Sequence, residues 1–141
     1  LGYSIFFKCM QAYASHPEFR YGNASTSSFA NLCEQISGQD LDWFFSQWLL
    51  NPGYPEYDIN YRSEKMSNGK WKTDYTINQV QSNKVFYQMP IELRVTFTDG
   101  STEIIKERNS YNFQTYNFEF DKKPEKISFD PNNEIVLKKV K

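Results

Sequence analysis

At 141 residues and 16.7 kDa the chain can bury one sizeable core, and it is too short for multi-domain machinery. Sixteen Lys plus Arg against seventeen Asp plus Glu leave a net charge of −1, which excludes functions built on a basic groove, so no nucleic acid is expected as a partner. The 12 Phe, 10 Tyr and 3 Trp exclude disorder and lean toward sheet. No apolar run approaches the roughly 20 residues of a membrane span. Leu1 is neither an initiator methionine nor the start of a signal peptide, so the chain reads as a piece of something longer.

Residues 1 to 53 follow helical periodicity and form the first expected region. The first helix runs from near Gly2 to Ser15, with Ile5, Phe6, Cys9, Met10 and Tyr13 as its apolar stripe. His16-Pro17 ends it, because the residue before proline resists the helical conformation. The second opens at Ser25-Thr26-Ser27, buries Phe29, Leu32, Cys33 and Ile36, and stops at Gly38. A third takes Asp40 as its N-cap and Leu41, Phe44, Phe45, Trp48 and Leu49 as its apolar face, which makes Trp48 a structural anchor. Asn51-Pro52-Gly53 breaks it. Phe7, Trp43 and Leu50 fall off these stripes, so the helices carry more apolar positions than one buried layer needs.

From Tyr54 the period changes to 2, which predicts a second region, residues 54–141, made of sheet. Tyr57, Ile59 and Tyr61 alternate with polar residues, as do Trp71, Thr73, Tyr75 and Ile77 after the Ser67-Asn68-Gly69 turn. Met89 to Phe97 form a longer strand, returning through the Asp99-Gly100 hairpin to Ile104 and Ile105. Tyr116, Phe118 and Phe120, then Ile127 and Phe129, then Ile135 to Val140 complete about seven short antiparallel strands. The expected class is α+β: a short helical segment of about three helices followed by an Ig-like β-sandwich.

The chemistry-bearing residues are sparse. His16 is the lone histidine, where common hydrolytic zinc sites use two or three, so it reads as a surface or capping residue. Cys9 and Cys33 sit on the stripes of two helices and read as small buried thiols, with a disulfide as the alternative. Asp40 with Asp42, and Glu56 with Asp58, read as caps and outward strand positions rather than acid–base pairs. Asp130-Pro131-Asn132-Asn133 reads as a turn, and Lys138, Lys139 and Lys141 as a solvated tail. No residue is assigned a catalytic, cofactor-binding or metal-binding role. Trp71, Tyr75, Tyr111 and Tyr116 could stack on sugars if they formed one surface row.

The stretch Gly38-Gln39-Asp40-Leu41-Asp42-Trp43-Phe44-Phe45-Ser46-Gln47-Trp48-Leu49, followed by Gly53-Tyr54-Pro55, resembles the end of the helical region in thermolysin-like zinc aminopeptidases, the gluzincins of peptidase family M-one. Gln79-Val80-Gln81, Tyr87-Gln88-Met89-Pro90-Ile91, the Asp99-Gly100 hairpin and Asp130-Pro131 are similar to that family's C-terminal β-sandwich. The resemblance covers essentially the whole chain. It implies that the family's H-E-x-x-H helix, zinc-binding glutamate and transition-state tyrosine lie upstream of Leu1, and no residue here matches them. The expectation is a non-catalytic C-terminal scaffold, inactive alone. Zinc belongs to the intact parent and not to this chain. The implied partners are the N-terminal catalytic domain of the same polypeptide and the parent's peptide substrate. The alternative is a stand-alone sandwich that binds carbohydrate or protein. The compartment stays open, with an extracytoplasmic location favoured.

Overall fold

Proline and the short polar caps fix the helix ends in the computed structural model, which describes residues 1–141. Helix α1 (Tyr3–Ser15) stops where His16, ahead of Pro17, turns to an extended ψ of 127°. Helix α2 (Thr26–Ser37) starts where the Ser25 hydroxyl accepts the Ser28 N–H at 3.1 Å. It ends at Gly38, whose φ of +65° is the left-handed stop that spares a Cβ clash. The core of this unit, Leu1–Asn51, is Cys9, Cys33 and Leu41, surrounded by Ile5, Phe29, Ile36 and Phe45. Phe29 stands edge-on to both Tyr13 (5.1 Å) and Phe45 (6.1 Å).

The third helix departs from the sequence reading. Helix α3 (Asp42–Phe45) begins two residues after Asp40, although the Asp40 carboxylate does accept the Asp42 N–H at 3.0 Å. After one turn it widens into a π-helical turn, Ser46–Leu50. The i→i+5 winding changes the angle per residue, so a stripe counted at 3.6 residues per turn no longer faces one way. Gln47 takes the buried position, Trp48 is half-buried, and Phe44 and Leu49 are exposed. The expected five-residue apolar face is corrected at Phe44 and Leu49, which stand exposed, while Leu41 is buried and Phe45 and Trp48 are half-buried.

The second unit, Pro52–Lys141, carries seven strands: β1 (Glu56–Lys65), β2 (Trp71–Gln79), β3 (Met89–Phe97), β4 (Thr102–Asn109), β5 (Phe113–Phe120), β6 (Pro124–Phe129) and β7 (Lys139–Val140). They form sheets of order β5-β2-β1-β7 and β4-β3-β6. Helices followed by a two-sheet sandwich make the chain α+β. Alternation places Thr73, Tyr75 and Ile77 inward on one sheet and Ile91, Leu93, Val95 and Phe97 inward on the other. The faces meet through Tyr57 on Phe129 (4.9 Å) and Phe97 on Phe120 (5.4 Å). β4 is a charged, largely exposed edge, which discourages further strand pairing.

The expected last strand, 135–140, is a second correction. Only Lys139–Val140 pair, and they run parallel to β1 in a sheet whose other pairs are antiparallel. The cause lies upstream: the buried Asp130 carboxylate accepts the Glu134 and Ile135 N–H groups at 2.8 and 3.0 Å, which folds those residues into a loop and tucks Ile135 inside.

Candidate functional site

Helix α1 is apolar on two sides. Ile5, Cys9, Ala12 and Tyr13 are buried or half-buried at i, i+4, i+7, i+8 spacing. Tyr3, Phe6, Phe7 and Met10 occupy the i, i+3, i+4, i+7 positions of another face and are 82, 45, 50 and 39% exposed. Phe6 and Met10, counted in the inward stripe from the sequence, thus lie outside it. The outer rings touch one another, Tyr3 to Phe7 at 4.5 Å and Phe6 to Phe7 at 5.5 Å. Phe44, Leu49 and Leu50 of the third helix and its π-turn are also exposed. A helix that is apolar around most of its circumference belongs inside a larger structure or against a partner. This aromatic face is the candidate functional surface of the chain.

The polar candidates resolve into structural roles. Glu34, Asp40 and Asp42 bring carboxylate oxygens within 4.8 Å of one another, the one grouping with a donor set suited to a cation. One oxygen of Glu34 accepts the Leu41 N–H at 2.7 Å and one of Asp40 accepts the Asp42 N–H at 3.0 Å, so these two carboxylates hold the loop between α2 and α3. His16 stacks on Phe19 at 4.3 Å, and its Nδ1 accepts the Glu18 N–H at 3.3 Å. It borders a cleft of about 230 Å³ shared with Glu18, Phe19, Ser28, Asn31, Leu32 and Gln35. Cys9 and Cys33 are free and buried together. Glu56 receives Lys139 and Lys141 at 3.6 and 3.4 Å.

The lysine tail needs correction. The Lys138 side chain is only 11% exposed and meets the Asp130 carboxylate at 2.6 Å. It also donates to Asn133 Oδ1 (2.6 Å) and to the Ile135 carbonyl (3.0 Å). Burial by itself would raise the Asp130 carboxyl. The bonds from Lys138 and from the Ile135 and Glu134 amides outweigh that and hold it below the ordinary carboxylate value. The four aromatics weighed as a sugar platform do not share a surface. Tyr75 and Tyr116 are buried, Trp71 is half-buried, and Tyr111 stands exposed.

A buried amide network, absent from the sequence reading, explains two of the quoted motifs. Gln79 Nε2 donates to the Tyr87 carbonyl and to Asn109 Oδ1, both at 2.6 Å, while its Oε1 accepts the Tyr87 N–H at 3.0 Å and Gln81 Nε2 at 3.0 Å. Asn109 Nδ2 passes the chain on to the Tyr111 carbonyl at 2.9 Å. Gln79, Gln81 and Tyr87 therefore tie the long β2–β3 connection to the sandwich interior. From the same connection Asn83 Nδ2 and the Tyr87 hydroxyl both donate to the Pro52 carbonyl, at 2.6 and 2.8 Å. Gly53 is required beside them: its φ is +89°, and a Cβ there would sit 2.6 Å from Asn83 Nδ2.

No protein-family model and no curated protein sequence matches the chain. Among solved structures it is similar to the Legionella pneumophila aminopeptidase A in complex with aspartic acid, with a TM-score of 0.61 at 17% identity. The match covers 89% of this chain and 16% of that one, so the chain spans about a sixth of the length of the enzyme it matches. At this identity the likeness gives an aminopeptidase-like fold.

Proposed function

We propose that the chain is the non-catalytic C-terminal scaffold of a thermolysin-like zinc aminopeptidase. Residues 1–53 form the end of its helical region and residues 54–141 its C-terminal sandwich. The observation that carries this reading is the fold likeness, which takes in nearly all of this chain and a small share of an aminopeptidase. The outward aromatic face of α1 supports it, because Tyr3, Phe6, Phe7 and Met10 need a cover that upstream polypeptide would supply. The stand-alone sugar-binding alternative loses its main support with Tyr75 and Tyr116 buried.

The residues present do not fit a hydrolytic zinc centre. One histidine stacked on Phe19 and two buried thiols supply no set of three protein ligands around an open position. In this reading zinc and the peptide substrate belong to the upstream domain, and this chain contributes support. The test joins genetics to chemistry: read the coding sequence upstream of Leu1, then assay the isolated chain and the full-length product for zinc and aminoacyl hydrolysis. An upstream H-E-x-x-H, with chelator-sensitive hydrolysis in the full-length product alone, is the expected result. Stoichiometric zinc and peptidase activity in the isolated chain would overturn it.

A further inference from the structure

Two buried cysteines share the centre of the helical unit. Cys9 on α1 is fully buried and Cys33 on α2 is 2% exposed, and the two share the Leu41 cluster. The Cys9 thiol points at the Cys33 carbonyl, Sγ to O 4.0 Å. They are 24 residues apart in sequence, across the His16-Pro17 bend. Two thiols that share one small core on neighbouring helices are the one pair in the chain placed to bond α1 to α2.

We propose that Cys9 and Cys33 form a redox-set staple between α1 and α2, closed to a disulfide by exchange with a low-molecular-weight disulfide of the glutathione type. One protein thiolate attacks a sulfur of the small disulfide, forms a mixed disulfide and expels one small thiolate. The second protein thiolate attacks the protein-side sulfur of that mixed bond and expels the other. Two protons leave the cysteines and end on the two small thiols, so the protein loses two electrons and the small disulfide gains them. Burial pushes the Cys33 thiol up to about 11. With both residues buried, a small disulfide reaches them only while the helices are apart, during folding or opening, and the redox state present then is locked in when they close. The outer face of α1 is the part that benefits, since the staple ties the helix down whether or not that face is covered.

The test refolds the full chain from denaturant in a reduced/oxidised glutathione buffer, quenches with acid, alkylates, and reads intact mass, peptide linkage and amide exchange. The staple predicts that neither cysteine is alkylated and that one peptide joins Cys9 to Cys33. It further predicts that α1 and α2 amides exchange roughly 100-fold more slowly than in protein refolded with reductant, as closure of a loop this long implies. Cys33→Ala should remove that redox dependence, and Cys9→Ala serves as the second single variant so that misfolding of one leaves a control. Both thiols alkylated after oxidative refolding, each cysteine carrying glutathione, or redox-dependent protection persisting in the single variants would each overturn the proposal.

Discussion

Lys138 and Asp130 show how much a single pair can organise at the end of a chain. The carboxylate fixes two amides, the ammonium closes over it, and Ile135 is carried inside as a result. Because the Asp130 carboxyl is held below its unfolded value, the stabilisation it brings is present above the ordinary carboxylate range and is lost as pH falls through the lowered folded value. Lys138→Met should cost about 2 to 3 kcal/mol near neutral pH, since it strands a buried, hydrogen-bonded charge. Denaturant melts of variant and parent should then converge toward low pH; a pH-independent difference would contradict the assignment. Gln79→Ala removes partners from the Tyr87 amide and carbonyl and from Asn109, at an expected cost of about 3 kcal/mol by the same measurement. Neither role was legible in the sequence. A lysine in a basic run and a glutamine in alternation carry the same pattern whether exposed or buried, and their partners lie 8 and 30 residues away with no periodic trace.

At the scale of elements, sequence and structure agree where local chemistry decides. His16-Pro17, Ser25 and Gly38 end or start helices on their own authority, and period-2 alternation together with the Asp99-Gly100 hairpin signal found the strands β1 to β6. Agreement fails where winding or tertiary capture intervenes: the π-turn at Ser46–Leu50 rotates the third helix off its expected face, and Asp130 curtails the last strand. On α1 the stripe from the sequence mixed two faces, because a helix with apolar residues nearly all round offers no phase to count from. That ambiguity separates from stability by experiment. Phe7→Ser, on the outer face, should leave the isolated chain within about 0.5 kcal/mol of the parent in denaturant melts. On the proposed reading, upstream polypeptide covers the face in the full-length product, and there the same change should cost about 2 to 4 kcal/mol. Equal small effects in both settings would mean that the face stays open to solvent.

For the whole molecule, the proposed function makes a helical unit with a small core of its own and a self-consistent sandwich parts of one larger enzyme. The sandwich has a closed interior of tilted and edge-on aromatic contacts and a buried amide network, whereas the helical unit buries three apolar side chains at its centre and shows four on the outer face of α1. Unequal finish of this kind should appear as unequal local stability. Hydrogen exchange compares it directly, by following α1 amides in the isolated chain and in the full-length product, under matched redox conditions. The proposed scaffold role predicts weak protection of α1 in the isolated chain, strong protection in the full-length product, and sandwich amides alike in both. Strong and equal protection of α1 in both would contradict it and mark the chain as a module complete in itself.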